Sequence, residues 1–104
     1  MNKIFLCRAA EVAEDEILRV ETDHLPPVAV YNLDGAYFAT DDTCTHGHAS
    51  LAEGYIDGGL VECPLHGGLF DIRTGHPAGA PCTEPVARYD LVIEDGAIYA
   101  LVEP

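Results

Sequence analysis

Residues 44–71 read CTHGHASLAEGYIDGGLVECPLHGGLFD, and this stretch decides how the chain is read. Cys44 stands two residues before His46. After a spacer of sixteen residues, Cys63 stands three residues before His66. Two short loops therefore each offer one thiol and one imidazole to a shared metal site. Two Cys and two His also make a zinc set. Zinc fingers usually pair like with like, C-x2-4-C followed by H-x3-5-H. Here each pair is mixed, and the first pair has a single spacer. A zinc-stabilised structural module stays open at this point. His48 is a second imidazole after Cys44, whereas His24 and His76 have no paired partner in sequence and read as surface positions.

Outward from this stretch, short apolar or alternating runs recur with turn signals between them. They are Lys3–Cys7, Glu16–Glu21, Val28–Leu33, Ala36–Ala39, Gly54–Ile56, Leu60–Cys63, Leu69–Ile72, Val86–Ile93 and Ala97–Val102. Asp34-Gly35 and Asp95-Gly96 each sit between two such runs and predict hairpin turns. Asp57-Gly58-Gly59 predicts another turn, and only Ala9–Asp15 has a brief helical pattern. The fold class expected is all-β, built from short antiparallel strands in a sandwich or barrel. Residues 41–83 hold eight of the ten glycines and both Cys/His pairs. The longer apolar runs lie outside them. This predicts one domain over 1–104, with a base from 1–40 and 84–104 and a smaller metal-binding lobe at 41–83.

The chain has 104 residues, room for one modest core. It is too short for a mononuclear catalytic iron site and a substrate pocket as well. His24, His48 and His76 form no 2-His-1-carboxylate set. Eighteen acids against five Lys and Arg give a net charge of −13, which would repel nucleic acid. The acids are spread along the chain, which suits solubility and also docking to basic partner surfaces. The apolar run near the start is too short for a signal peptide, and no run approaches a membrane span. A cytoplasmic protein with no membrane partner is expected. Cys7 follows an apolar run and reads as a core thiol, and the role of Cys82 stays open. Both are expected to be reduced.

The stretches CTHGHASLAEG and CPLHGGLFD resemble the two ligand boxes of Rieske proteins. The resemblance implies the Rieske fold, an antiparallel β-sandwich base with an inserted cluster-binding lobe. It also implies one 2Fe–2S cluster, with Cys44 and Cys63 on one iron and His46 and His66 on the other. The family spacing selects His46 over His48. Replacing two thiolates by imidazoles makes the cluster less negative and easier to reduce. Such a centre suits one-electron carriage better than catalysis. Gly47, Gly67 and Gly68 would let backbone amides turn toward the sulfurs. The loop Gly75–Pro81 resembles the family's covering loop, with Pro81 as a rigid lid.

Where high-potential Rieske proteins carry a disulfide between the ligand loops, this chain has Ala49 and Leu65. Where they carry a Ser and a Tyr that donate to sulfur, it has Gly68 and Phe70. Fewer donors imply a potential at the low end of the Rieske range. The whole resembles the ferredoxin of a bacterial aromatic-ring-hydroxylating dioxygenase system, naphthalene-dioxygenase-like. That implies a non-catalytic monomer carrying single electrons from a flavin-dependent NAD(P)H reductase to a terminal oxygenase. The small Rieske subunit of an assimilatory nitrite reductase is the alternative within the family. The ligand choice is testable. His48→Ala should keep the visible spectrum of the loaded protein, and His46→Ala should lose or alter it. The reverse result would reassign the ligand.

Overall fold

The computed structural model describes residues 2–45, 47, 49–65 and 67–103. Among them are ten strands: β1 (Asn2–Arg8), β2 (Ile17–Val20), β3 (Val28–Leu33), β4 (Ala36–Asp41), β5 (Tyr55–Asp57), β6 (Leu60–Glu62), β7 (Leu69–Asp71), β8 (Pro77–Gly79), β9 (Arg88–Glu94) and β10 (Ala97–Val102). They form two antiparallel sheets, as the short alternating runs predict. A six-stranded sheet has the order β1-β10-β9-β4-β3-β2, and a four-stranded sheet has the order β5-β6-β7-β8. Both ends of the chain meet in the larger sheet, where β1 pairs with β10.

The hairpin turns follow from the Asp-Gly pairs. Asp34 and Gly35 have φ of 58° and 91°, and Asp95 and Gly96 have φ of 51° and 78°. Two successive residues with positive φ match the right-handed twist of the flanking strands. The Gly35 N–H also donates to the Asn32 side-chain oxygen at 2.8 Å.

β3 is buried at every residue. Successive side chains of a strand point to opposite faces, and here both faces are covered. Val28 and Val30 join a core with Leu6, Val12, Val20 and Ile98. Ala29, Tyr31 and Leu33 join a second core with Leu51, Val61, Phe70, Ile72 and Val86, which reaches from the larger sheet to the smaller one. Tyr31 is fully buried, and its hydroxyl is paired with Thr40 Oγ1 at 2.8 Å. Its polar atom is thus satisfied inside the core.

Two local expectations change. Ala9–Asp15 is not a helix beyond one 3-10 turn at Ala9–Glu11. Asn32 takes the backbone instead: its side-chain nitrogen donates to the Val12 carbonyl at 2.9 Å, and its carbonyl accepts from the Asp15 N–H at 2.8 Å. Val12 is extended and buried, so its side chain serves the core and not a helix face. The loop Gly75–Pro81 also contains a strand, β8. Pro77 is tolerated there because β8 is the outer strand of its sheet and need not donate outward.

Cys7 lies on β1 in the first core, apart from the other three cysteines in the second, and none of the four is in a disulfide. Burial, helped by the charge of Glu11, pushes the Cys7 thiol from 9.0 up to about 11. The folded protein therefore holds this proton more tightly than the unfolded chain does. The associated stability is complete below pH 9 and is lost as pH rises toward 11. Cys7→Ala should flatten the decline in denaturation midpoint over that window. An unchanged slope would place its cause elsewhere.

Candidate metal centre

Two loops bring Cys44 and Cys63 together. The first leaves β4 and turns back through a bridge between Thr43 and Ser50. The Cys44 N–H donates to the Ala49 carbonyl at 2.9 Å, which closes the turn. The second connects β6 to β7, and the Cys63 N–H donates to the Gly68 carbonyl at 2.7 Å. Gly67 has a φ of 71°, which this tight turn requires. Both cysteines are only 1% exposed. They hydrogen-bond to each other through their side chains, and the Leu65 amide also donates to the Cys63 sulfur. Burial raises the Cys63 thiol above its ordinary value. The Leu65 amide opposes that rise, and the Cys44 side chain adds to it.

His46, His48 and His66 lie outside the described residues. The structure thus places the thiol half of the sequence-predicted ligand set. His24 and His76 are exposed, as expected for surface positions. Next to the buried cysteines on these loops, Thr45, Pro64, Leu65 and Gly67 are exposed and uncharged, with the carboxylate of Glu62 near Gly67. The donor chemistry fits an iron–sulfur group. Two thiolates at this depth need positive charge beside them, and a bound metal supplies it.

A third loop approaches from the other side. It follows β8, contains a cis Ala80-Pro81 bond, and carries Cys82, which is 6% exposed. Cys82 belongs to the same core as Cys44 and Cys63 and hydrogen-bonds to the Cys44 side chain. Its thiol is pushed up to about 11, first by burial and then by Cys44 and Cys63. Thr45 Oγ1 donates to the Glu84 carbonyl at 3.0 Å and ties this loop to the first.

Asp42 is a positioning residue that motif spacing does not show. It is 2% exposed. Its carboxylate accepts the Ala52 N–H at 2.9 Å and lies 3.5 Å from Arg19 Nε. Its own N–H donates to the Pro27 carbonyl at 2.8 Å, and its carbonyl accepts the Leu51 N–H at 2.7 Å. The first loop is therefore pinned at its root, with the 3-10 turn Leu51–Glu53 held against β2 and β3. The available signal was an acid two residues before Cys44, in TDDTC, immediately after an apolar strand.

A family model described as the Rieske [2Fe-2S] domain matches residues 2–90. Ferredoxin CarAc of Metapseudomonas resinovorans is 44% identical over 105 residues, covering 99% of this chain and 98% of that protein. The solved structure of Sphingomonas yanoikuyae B1 ferredoxin superposes with a TM-score of 0.93 at 47% identity, covering 99% of this chain and all of that one. A chain in the solved complex of reduced oxygenase and oxidized ferredoxin in carbazole 1,9a-dioxygenase superposes with a TM-score of 0.88 at 42% identity. That match covers 94% of this chain and 91% of the other.

Asp42→Ala should remove the acceptor for a buried N–H and cost about 1–3 kcal/mol of stability. Hydrogen exchange at Ala52 should rise with it. Glu53→Ala, at an exposed position, should change stability by no more than about 0.5 kcal/mol. Equal effects of the two substitutions would remove the special role of Asp42.

Proposed function

The chain belongs to the Rieske [2Fe-2S] domain family, and on that premise we propose that Cys44 and Cys63 hold one iron of its cluster and His46 and His66 the other. The protein carries one Rieske-type 2Fe–2S cluster. It is a ferredoxin component of an aromatic dioxygenase system, an electron-transfer subunit and not the catalyst. When bound, the cluster accepts and releases one electron. The chain's own residues hold it, cover it and present it.

One observation carries this reading. The paired cysteines are buried, yet their loop neighbours Thr45, Pro64, Leu65 and Gly67 are exposed and uncharged. Leu65, beside His66 in sequence, is 44% exposed. A partner can seat on these residues without stripping water from charged groups, which costs little desolvation. The surface hollows at Asp15–Ile17 and Asn2–Ile4 include neither cysteine. The partner proposed at this face is the terminal oxygenase, in keeping with the oxygenase–ferredoxin complex of the carbazole system. The electron donor proposed is a flavin-dependent NAD(P)H reductase. No helix among the described residues is long and apolar enough to cross a membrane.

The potential proposed is low for the family. Phe70 is fully buried and carries no hydroxyl, and Gly68 has no side chain to donate. Backbone donors such as the Leu65 amide remain. Fewer donors leave more electron density on the sulfurs and, through the irons, on the imidazoles. The midpoint potential should then lie toward about −150 mV, the lower end for Rieske centres, and should vary little with pH near neutrality. Anaerobic redox titration of the dithionite-reducible protein checks both. A value near +300 mV or a steep neutral slope would overturn the low-potential assignment. With a net charge of −13, the rate of reduction by the reductase should fall from low to high salt. A salt-independent rate would leave docking to apolar tips such as Leu65.

A further inference from the structure

We propose that the Cys82 thiol is a hydrogen-bond donor to the cluster-bound Cys44 sulfur, and that it sets part of the reduction potential. The inference rests on the cluster assignment above and concerns a residue outside the four ligands.

The geometry around Gly68 points to it first. Gly68 is buried, and its φ is not among the positive values of the chain, so its lack of a side chain is a matter of space. A Cβ built there would run into the Cys82 sulfur and would stand 3.3 Å from both Cys82 N and Pro81 Cδ. The sulfur therefore packs directly on the main chain of the second ligand loop. It shares the second core with Cys44, and the side chains of the two interact. The loop that carries it is held on both sides. The Cys82 N–H donates to the Gly79 carbonyl at 3.2 Å, and Thr45 grips Glu84.

Three sulfurs thus lie in one core cluster. Among the described residues no group of three Cys, His, Asp or Glu is arranged to hold a metal ion. The two Cys/His boxes already supply the four proposed ligands, so Cys82 is placed as a donor and not as a further ligand. A thiol has one S–H to give, and a metal-bound thiolate is a charged acceptor. A donor to a ligand sulfur draws density from the cluster and favours the reduced state. The glycine at 68 and the cysteine at 82 form one unit, in which the small residue makes room for the thiol.

The competing role is a small apolar filler, since buried Cys often acts as one. Three variants separate the two. Cys82→Ala and Cys82→Val remove the donor, and Cys82→Ser keeps one. If Cys82 donates, Ala and Val should each lower the equilibrium constant for reduction about three-fold or more, roughly 28 mV at 59 mV per ten-fold. Ser should stay closer to wild type than either. Ala and Val variants with an intact visible spectrum and a wild-type potential would overturn the proposal.

A measurement on unmodified Cys82 covers the case in which those variants do not load a cluster. In the Cys7→Ala background, the S–H infrared stretch of Cys82 should shift to lower frequency and move again on dithionite reduction. A band at the free-thiol position, insensitive to redox state, would equally overturn it. Failure of the underlying cluster assignment looks different, because the wild-type protein itself would show no dithionite-bleached spectrum.

Discussion

A single strand buried on both faces organises this molecule. β3 sends Val28 and Val30 into one core and Ala29, Tyr31 and Leu33 into the other. Burying each of Val28, Val30 and Leu33 contributes about 1.5–3 kcal/mol, so β3 ties both cores to one strand. Its polar groups do further work. Asn32 gathers the segment before β2, and the residue preceding β3, Pro27, accepts the Asp42 N–H at the root of the first ligand loop. The proposed metal centre is therefore built outward from a buried wall, although its proposed ligands sit on loops.

The second core has an unusual membership for its size. Cys44, Cys63 and Cys82 lie in it beside Tyr31, Val61 and Phe70. On the proposed ligand assignment, metal loading replaces protons on Cys44 and Cys63, so cluster assembly releases protons and depends on pH. Burial works against that release at Cys63, and the Leu65 amide partly offsets it by stabilising the thiolate. If Cys63 holds the cluster as proposed, the same amide would donate to a sulfur of the loaded site. One backbone group thus serves both assembly and redox tuning.

How much could be read beforehand follows from how local each feature is. The Asp-Gly turns were legible because positive φ at two consecutive positions is a property of those residues themselves. The Cys/His spacing was legible because a metal site demands particular donors at short range. The helical pattern at Ala9–Asp15 misled because a competing partner, Asn32, lies about twenty positions away and claims the same backbone groups. β8 was hidden by its Pro and Gly content, which reads as loop unless the edge position is known. Asp42 and the Gly68–Cys82 pair were illegible for a similar reason. Their roles exist only once two or three loops converge, and no periodicity encodes that.

The charge pattern and the packing pattern divide the labour of recognition. The acids are dispersed through the sequence, so their summed field acts at long range and governs encounter. Thr45, Pro64, Leu65 and Gly67 are small, apolar or uncharged polar, so they act at contact range. An anionic protein can be steered toward a basic partner by this field while uncharged residues such as Thr45, Pro64 and Leu65 make contact, with Glu62 and Glu84 close by. A carboxylate close to these loops, such as that of Glu62 beside Gly67, adds negative charge near a centre that becomes more negative on reduction, and so favours a low potential. The exposed surface around the ligand loops is therefore constrained by the redox chemistry beneath it as much as by the partner above it.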